Sequence, residues 1–176
     1  MPKSQIIKDI VEDKVGLERS LNRLYILALD VKNEALATWA EKELNGYNTA
    51  DELPDYRKTE GLMIKYTGIN GSFQVTNQPL QPYYIKPEYR DKLEKIKLRE
   101  GIRFLSELAS SKKPAERDVS SLASDVFESS EGQIQCISIQ QIIPQSIAQH
   151  VCAEVKHRMI QALVELENKH GNLDSL

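Results

Sequence analysis

The sequence predicts an α+β fold: an N-terminal helical hairpin and a long C-terminal helix, packed with a small antiparallel sheet from the middle of the chain. Apolar residues recur every three or four positions near both ends, which is the spacing of amphipathic helices. Segments rich in β-branched residues lie between turn residues in the middle. After Pro144, no Gly or Pro occurs before Gly171, so one long helix is predicted there.

The N-terminal helices are predicted over residues 4–12, 17–31 and 34–44. Each of these segments carries apolar side chains at offsets of three and four. Asn45 and Gly46 end the third helix, because both residues tolerate the left-handed backbone conformation that a C-terminal cap requires. The second and third helices are close enough in the chain to form the predicted hairpin.

The predicted sheet comes from the middle of the chain. Residues 62–66 and 72–76 form two predicted strands, joined by a loop in which Gly71 supplies a positive φ. A third strand is predicted over residues 133–139, which are rich in β-branched side chains. Residues 93–98 fit a strand or a helix equally well, because short apolar runs satisfy both periods.

Nothing in the sequence divides the chain into separate domains. It contains no internal repeat and no Gly/Ser linker, so residues 1–176 are predicted to form a single domain. Residues 106–132 are rich in serine and are predicted to be a loose or variable segment, with one helical turn around residues 122–127.

The C-terminal helix carries a second apolar line beside its main stripe. Ile160 and Val164 fall on this line, four residues apart, and are not needed for the core-facing stripe. They are the candidate oligomerisation residues, and a homo-oligomer is the predicted assembly.

Composition excludes several classes of protein. The 176 residues carry a net charge of −3, so no global field attracts nucleic acid or anionic membranes. No apolar run approaches the roughly 18 residues that span a bilayer, and no signal peptide is visible. The cysteines, Cys136 and Cys152, are too few for a disulfide framework or a four-cysteine zinc site. No membrane association is predicted, and a reducing cytoplasm is the predicted compartment.

The chemical motifs are equally spare. The sequence lacks a Walker loop, a Gly-x-Gly-x-x-Gly turn and a Gly-x-Ser-x-Gly elbow. Two Glu-x-x-His pairs, Glu154/His157 and Glu167/His170, share one helix about 20 Å apart and cannot converge on one metal ion. No catalytic residue, no metal site and no cofactor is therefore predicted, and the assignment as an enzyme stays open, leaning against it.

One alternative involves nucleotides or nucleic acid. Tyr83 and Tyr84 could stack on bases, while Arg57 and the basic residues between 86 and 103 could bind phosphates. A metal-dependent nuclease would be a special case, with Asp55 as a carboxylate ligand. The mixed charges of the basic segment are also typical of a solvated surface.

A family resemblance comes from one part of the sequence. Residues 39–47 read WAEKELNGY and residues 54–57 read PDYR. A Trp, a helix ending in Glu-Leu-x-Gly-Tyr and a following Pro-x-Tyr-Arg resemble the signature of the AbiTii domain, a family associated with bacterial abortive-infection defence against phages. The leucine-rich helix before this string and the helix that ends at Gly171 are similar to the flanking parts of that family.

The resemblance implies a function but no catalytic residue. It implies a non-enzymatic adaptor or sensor module in anti-phage defence, acting through protein–protein contacts with a partner or effector. The candidate binding residues are those of the signature together with the tyrosine pair: Trp39, Glu43, Gly46, Tyr47, Pro54, Tyr56, Arg57, Tyr83 and Tyr84. The sequence leaves open the trigger, the partner, the number of copies, and whether the chain stands alone or belongs to a longer protein.

Overall fold

The computed structural model describes residues 3–175. Within that range the helices are α1 (Gln5–Val11), α2 (Leu17–Asp30), α3 (Glu34–Asn45), α4 (Pro87–Glu94), α5 (Ile102–Ser110), α6 (Ala123–Ser129) and α7 (Gln145–His170). The strands are β1 (Lys58–Glu60), β2 (Ile64–Asn70), β3 (Phe73–Pro79), β4 (Lys95–Lys97), β5 (Ala115–Asp118) and β6 (Ile134–Ile143). Helices at both ends and antiparallel strands in the middle confirm the predicted α+β class.

The chain forms two compact units. The helical unit contains the described residues up to Arg57, the segment Arg99–Ser110, and the chain from Ser146 onward. The sheet unit contains Lys58–Leu98 and Ser111–Gln145. The organisation as one domain stays a prediction.

The helical unit is built on the apolar faces that the sequence predicts. Helices α2 and α3 pack against each other as the expected hairpin. The turn between them closes with the N–H of Asn33 donating to the carbonyl of Ala28 (2.8 Å), and the Asn33 side chain then caps α3 by accepting from the N–H of Leu36. The buried stripe of α7 consists of Ala148, Val151, Val155, Met159, Leu163 and Leu166.

Helix α1 is fastened to the end of α7. The carboxylate of Glu167 accepts from the backbone N–H of Ser4 (2.6 Å) and from its hydroxyl, and it pairs with Lys3 (2.8 Å). The Ser4 hydroxyl oxygen also accepts from the N–H of Leu173. These bonds hold the pKa of Glu167 down at about 2, with the Lys3 contact as the largest cause.

The sheet unit contains a four-stranded antiparallel sheet in the order β3-β2-β6-β5 and a separate β1-β4 pair. Both neighbours of β2 shift register close to Gly68. A Cβ at that position would collide with the carbonyl oxygen of Gln135, so only glycine allows β6 to approach so closely. The hydrophobic core of this unit includes Ile64 and Tyr66 of β2 and Ile134 and Ile139 of β6.

The prediction that a loop begins after residue 66, between the first two strands, is wrong. Residues 67–70 continue β2, and the turn to β3 contains only Gly71 and Ser72. Gly71 does adopt the expected positive φ, at 60°. Gly68 resembles a turn residue in the sequence, but glycine is required there because β6 approaches so closely.

Short helices lie in the proline-rich and serine-rich segments of the middle of the chain. Pro82 opens a 3₁₀ helix, and Pro87 opens α4, because the missing N–H of proline is harmless in a first turn. Residues 93–98 divide between the end of α4 and β4. Residues 106–132 contain the end of α5, β5 and α6, and the expected helical turn near residue 122 lies at the start of α6.

Candidate functional site

A buried carboxylate organises the signature residues. Glu43 lies on α3, one turn after Trp39, and its side chain is fully buried. A carboxylate removed from water is stable only where hydrogen bonds and an opposite charge replace its hydration. Four donor groups of the helical unit surround it.

Arg57 supplies the opposite charge. It ends the 3₁₀ turn Asp55–Arg57, whose first hydrogen bond runs from the N–H of Arg57 to the carbonyl of Pro54 (3.0 Å). Its Nη2 lies 2.6 Å from Glu43 Oε2 and its Nε lies 3.2 Å from the same oxygen. Because both side chains are fully buried, this is a desolvated, forked ion pair.

Two tyrosine hydroxyls complete the set of hydrogen-bond donors around the carboxylate. The hydroxyls of Tyr47 (2.7 Å) and Tyr56 both donate to Glu43 Oε1. Trp39 then donates its Nε1–H to the oxygen of Tyr56 (3.0 Å). Donors therefore reach both oxygens of the Glu43 carboxylate, which can accept about four hydrogen bonds in all.

Burial changes the ionisation of the phenols. It raises the pKa of Tyr47 well above its ordinary value, and the hydrogen bond to the Glu43 carboxylate raises it further. The same two causes raise the pKa of Tyr56 to about 12. Both hydroxyls therefore stay protonated at physiological pH and act as donors.

The network joins three separated stretches of chain. Arg57 Nη1 donates to the carbonyl of Glu100 (2.8 Å), and the N–H of Tyr47 donates to the carbonyl of Arg99 (2.7 Å). Gly46 has a φ of 94°, and a Cβ there would lie 2.7 Å from the Arg99 oxygen. A Cβ at Gly101 would collide with the carbonyl of Leu44. Two glycines thus allow the end of α3 to touch the start of α5.

Two parts of this arrangement are not visible in the sequence. Gly101 and the Glu100 carbonyl lie more than forty residues after Arg57, and no short-range pattern connects them. Arg158, on α7, places its guanidinium carbon 4.7 Å from the centre of the Tyr56 ring. Such contacts depend on how helices pack and have no spacing rule that could have revealed them.

The structure brings the seven signature residues together inside the helical unit, with Pro54 at the start of the 3₁₀ turn. Tyr83 and Tyr84 belong to the sheet unit, where their ring centres lie 4.2 Å apart. Tyr83 is 64% exposed, while Tyr84 packs against the sheet core. The role of all nine residues in binding stays a prediction.

The remaining candidates lie on α7. Ile160 and Val164 are half-buried. Cys152 is also half-buried, and burial raises the pKa of its thiol. Glu167 is engaged by Lys3 and Ser4 in the chain-end contact described above.

Among residues 3–175, no cluster of three or more His, Cys, Asp or Glu side chains is placed to hold a metal ion. Over the same part of the chain, no helix combines the length and the apolar character needed to cross a membrane.

The fold and the buried network define an α+β protein whose signature residues form one hydrogen-bonded core motif. The AbiTii family model matches residues 4–176, nearly the whole chain. The chain therefore belongs to the AbiTii family, and this membership gives it a context in bacterial abortive-infection defence. No curated protein and no solved structure matches it.

Proposed function

We propose that this protein is a non-enzymatic adaptor or sensor module of abortive-infection defence, which acts through protein–protein contacts as a homo-oligomer. The observation that carries the proposal is the edge strand β3. Its seven residues contain no charged side chain, and six of the seven are exposed. An uncharged, exposed sheet edge is a template for strand addition.

The opposite edge of the same sheet makes a useful contrast. Strand β5 has four residues, and Glu116, Arg117 and Asp118 are charged. Short, charged edges resist pairing with other chains. Strand β3 has no charge, and its register shift at Thr76–Asn77 and its proline, Pro79, lie in the second half of the strand. The unprotected part is the stretch from Phe73 to Val75, whose Phe73 side chain is 75% exposed, and it supports an extended, uncharged segment of a partner protein as the occupant.

The test places charges on the β3 edge. In a Gln74→Lys/Thr76→Lys variant, both changes fall on exposed side chains, so thermal stability should stay within a few degrees of the wild type. We expect a stoichiometric partner, cross-linked in phage-infected cells, to be lost from the variant and kept by a Ser124→Lys control on α6. Retention of that partner by the charged-edge variant would contradict the proposal.

The homo-oligomer is proposed to form along α7. On the side away from its buried stripe, positions spaced by four and three residues carry no Asp, Glu, Lys or Arg: Ser146, His150, Ala153, His157, Ile160 and Val164. The charged residues of α7 lie on either side of this line. Because a solvated helix face normally carries charge, this depletion supports contact with α7 of a second copy.

The test of the oligomer is a measurement of solution mass. Ile160→Glu or Val164→Glu should reduce an oligomer to its monomer, because a carboxylate would be buried in the helix contact. Gln161→Glu, on the neighbouring exposed position, introduces the same charge and should leave the mass unchanged. A wild-type protein that is monomeric at micromolar concentration would refute this part of the proposal.

Nucleotide binding at Arg57 has less support than protein contact. Its guanidinium is fully buried and bound to Glu43 and to the Glu100 carbonyl. Binding a phosphate there would require the release of the buried ion pair, which is costly.

A further inference from the structure

A cavity of about 780 Å³ opens in the helical unit beside Trp39. One wall is formed by the turn between α2 and α3, and the other by the last turns of α7. Cavities that hold small molecules are commonly about 300–1,000 Å³. This one is large enough for a ligand, and the contacts described above do not use it.

The apolar part of the cavity has an aromatic ring fixed in position. Trp39 lines it with Leu36, Ala162 and Leu166. The Trp39 Nε1–H is held by Tyr56, so the indole is oriented by the buried network even though its side chain is partly exposed. A fixed aromatic ring favours stacking with a planar ligand, because little side-chain entropy is lost on binding.

The rim of the cavity carries two lysines, two glutamates and a histidine: Lys32, Glu34, Glu165, Lys169 and His170. Within residues 3–175, none of these five side chains forms an ion pair. Lysines and a histidine attract a phosphate, whereas carboxylates accept hydrogen bonds from amino groups. A ligand that matches this rim needs an anionic end and a planar end with donor groups.

Lys32 has a backbone feature that gives the cavity a sharp test. It has a φ of 55°, in the left-handed region, at the position after α2 where glycine is usually favoured. Replacing Lys32 with glycine removes the cation, and it also removes the steric strain of a side chain in the left-handed conformation. Loss of binding could then not be attributed to a damaged fold.

We propose that this cavity binds a nucleotide whose base carries an amino group. The base stacks on Trp39, and its amino group donates to a rim carboxylate. The phosphate is held by Lys32, Lys169 and His170. This inference concerns a small-molecule ligand, goes beyond the protein contacts proposed above, and does not depend on them.

The experiment uses the single tryptophan of the chain, whose fluorescence reports from this cavity alone. Adenosine monophosphate should quench it in a saturable manner, with calorimetry giving the same affinity. Adenosine and inorganic phosphate, each lacking half of the ligand, should bind at least roughly tenfold more weakly. An oligoadenylate that binds more tightly than the mononucleotide would also support the site. It would indicate that the nucleotide bound there is the end of a nucleic acid.

Variants make the assignment specific. Lys169→Gln and Lys32→Gly should each weaken binding by roughly tenfold, and Lys32→Gly should unfold at the wild-type temperature or above it. Lys8→Gln removes an exposed lysine of α1, outside the cavity, and should leave the affinity unchanged. The proposal is overturned if adenosine monophosphate gives no saturable signal by either method, or if Lys8→Gln weakens binding as much as Lys169→Gln.

Discussion

In the helical unit, two tyrosines and an arginine surround one buried carboxylate, whereas in the sheet unit Phe73 and Tyr83 face solvent. The buried side chains hydrogen-bond to one another, so replacing any of them should lower the stability of the fold. The exposed set contributes little to the fold and remains available for contact with other molecules. Aromatic side chains therefore have different roles in the two units: the buried ones stabilise the fold, and the exposed ones are available for binding.

The largest expected effect comes from breaking the buried ion pair. Arg57→Met leaves the Glu43 carboxylate in the interior without its charge partner, which should lower the free energy of unfolding by about 3–5 kcal/mol. Urea denaturation of the variant and the wild type measures the difference. Because the double variant Glu43→Leu/Arg57→Met removes both charges, it should lose less than the sum of the two single changes. A loss below about 1 kcal/mol for Arg57→Met would contradict a desolvated pair.

Removing one tyrosine hydroxyl from each unit sharpens the comparison. Tyr47→Phe deletes a hydrogen bond to a buried carboxylate and should cost about 1.5–3 kcal/mol. Tyr83→Phe changes an exposed hydroxyl and should stay within about 0.5 kcal/mol of the wild type. Equal losses in the two denaturation curves would show that the difference in burial has no energetic consequence.

Glycine substitutions test the backbone contact below the network. An alanine at Gly101 pushes against the Leu44 carbonyl and displaces the Glu100 oxygen that Arg57 uses, at a cost of about 1–3 kcal/mol. The matched control is Gly61→Ala in the sheet unit, where no atom lies within 4 Å of the new Cβ. Thermal unfolding should separate the two variants, and a control as unstable as Gly101→Ala would point to a general effect of alanine.

The smallest effect concerns the contact between the chain ends. The pKa of Glu167 is lowered from 4.5 to about 2, so its carboxylate stabilises the folded state above pH 4.5. That contribution should disappear as the pH falls from 4.5 to 2. The difference in stability between the wild type and Glu167→Gln should therefore be constant near neutral pH and shrink in acid. A difference that does not change over that range would exclude an ionised Glu167 contact.

The sequence gives a good account of elements that depend on local rules. The end of α3 at Gly46 and the whole of α7 follow from glycine conformation and apolar spacing. It also brings Glu43 and Arg57 into one motif, since a resemblance marks both. It does not reveal that the pair is buried, because a salt bridge on a surface has the same residues at the same spacing.

The features that the sequence does not predict depend on contacts between distant parts of the chain. The continuation of β2 through Gly68 depends on how β6 approaches it, sixty-seven residues later in the chain (Gly68 against Gln135). The cavity beside Trp39 exists because the α2–α3 turn and the end of α7 meet, and neither segment indicates this alone.

Local chemistry and periodicity thus decide the helices, the strand-rich middle, the absence of familiar catalytic motifs and the family signature. Only the tertiary structure decides which polar residues of that signature lose their water. Hydrogen-bond capacity is a property of a residue, but the free energy of using it depends on the surrounding dielectric and on partners brought from distant parts of the chain. For this protein, that environment turns Glu43, Tyr47, Tyr56 and Arg57 into a stabilising core and leaves Trp39 at the edge of a cavity.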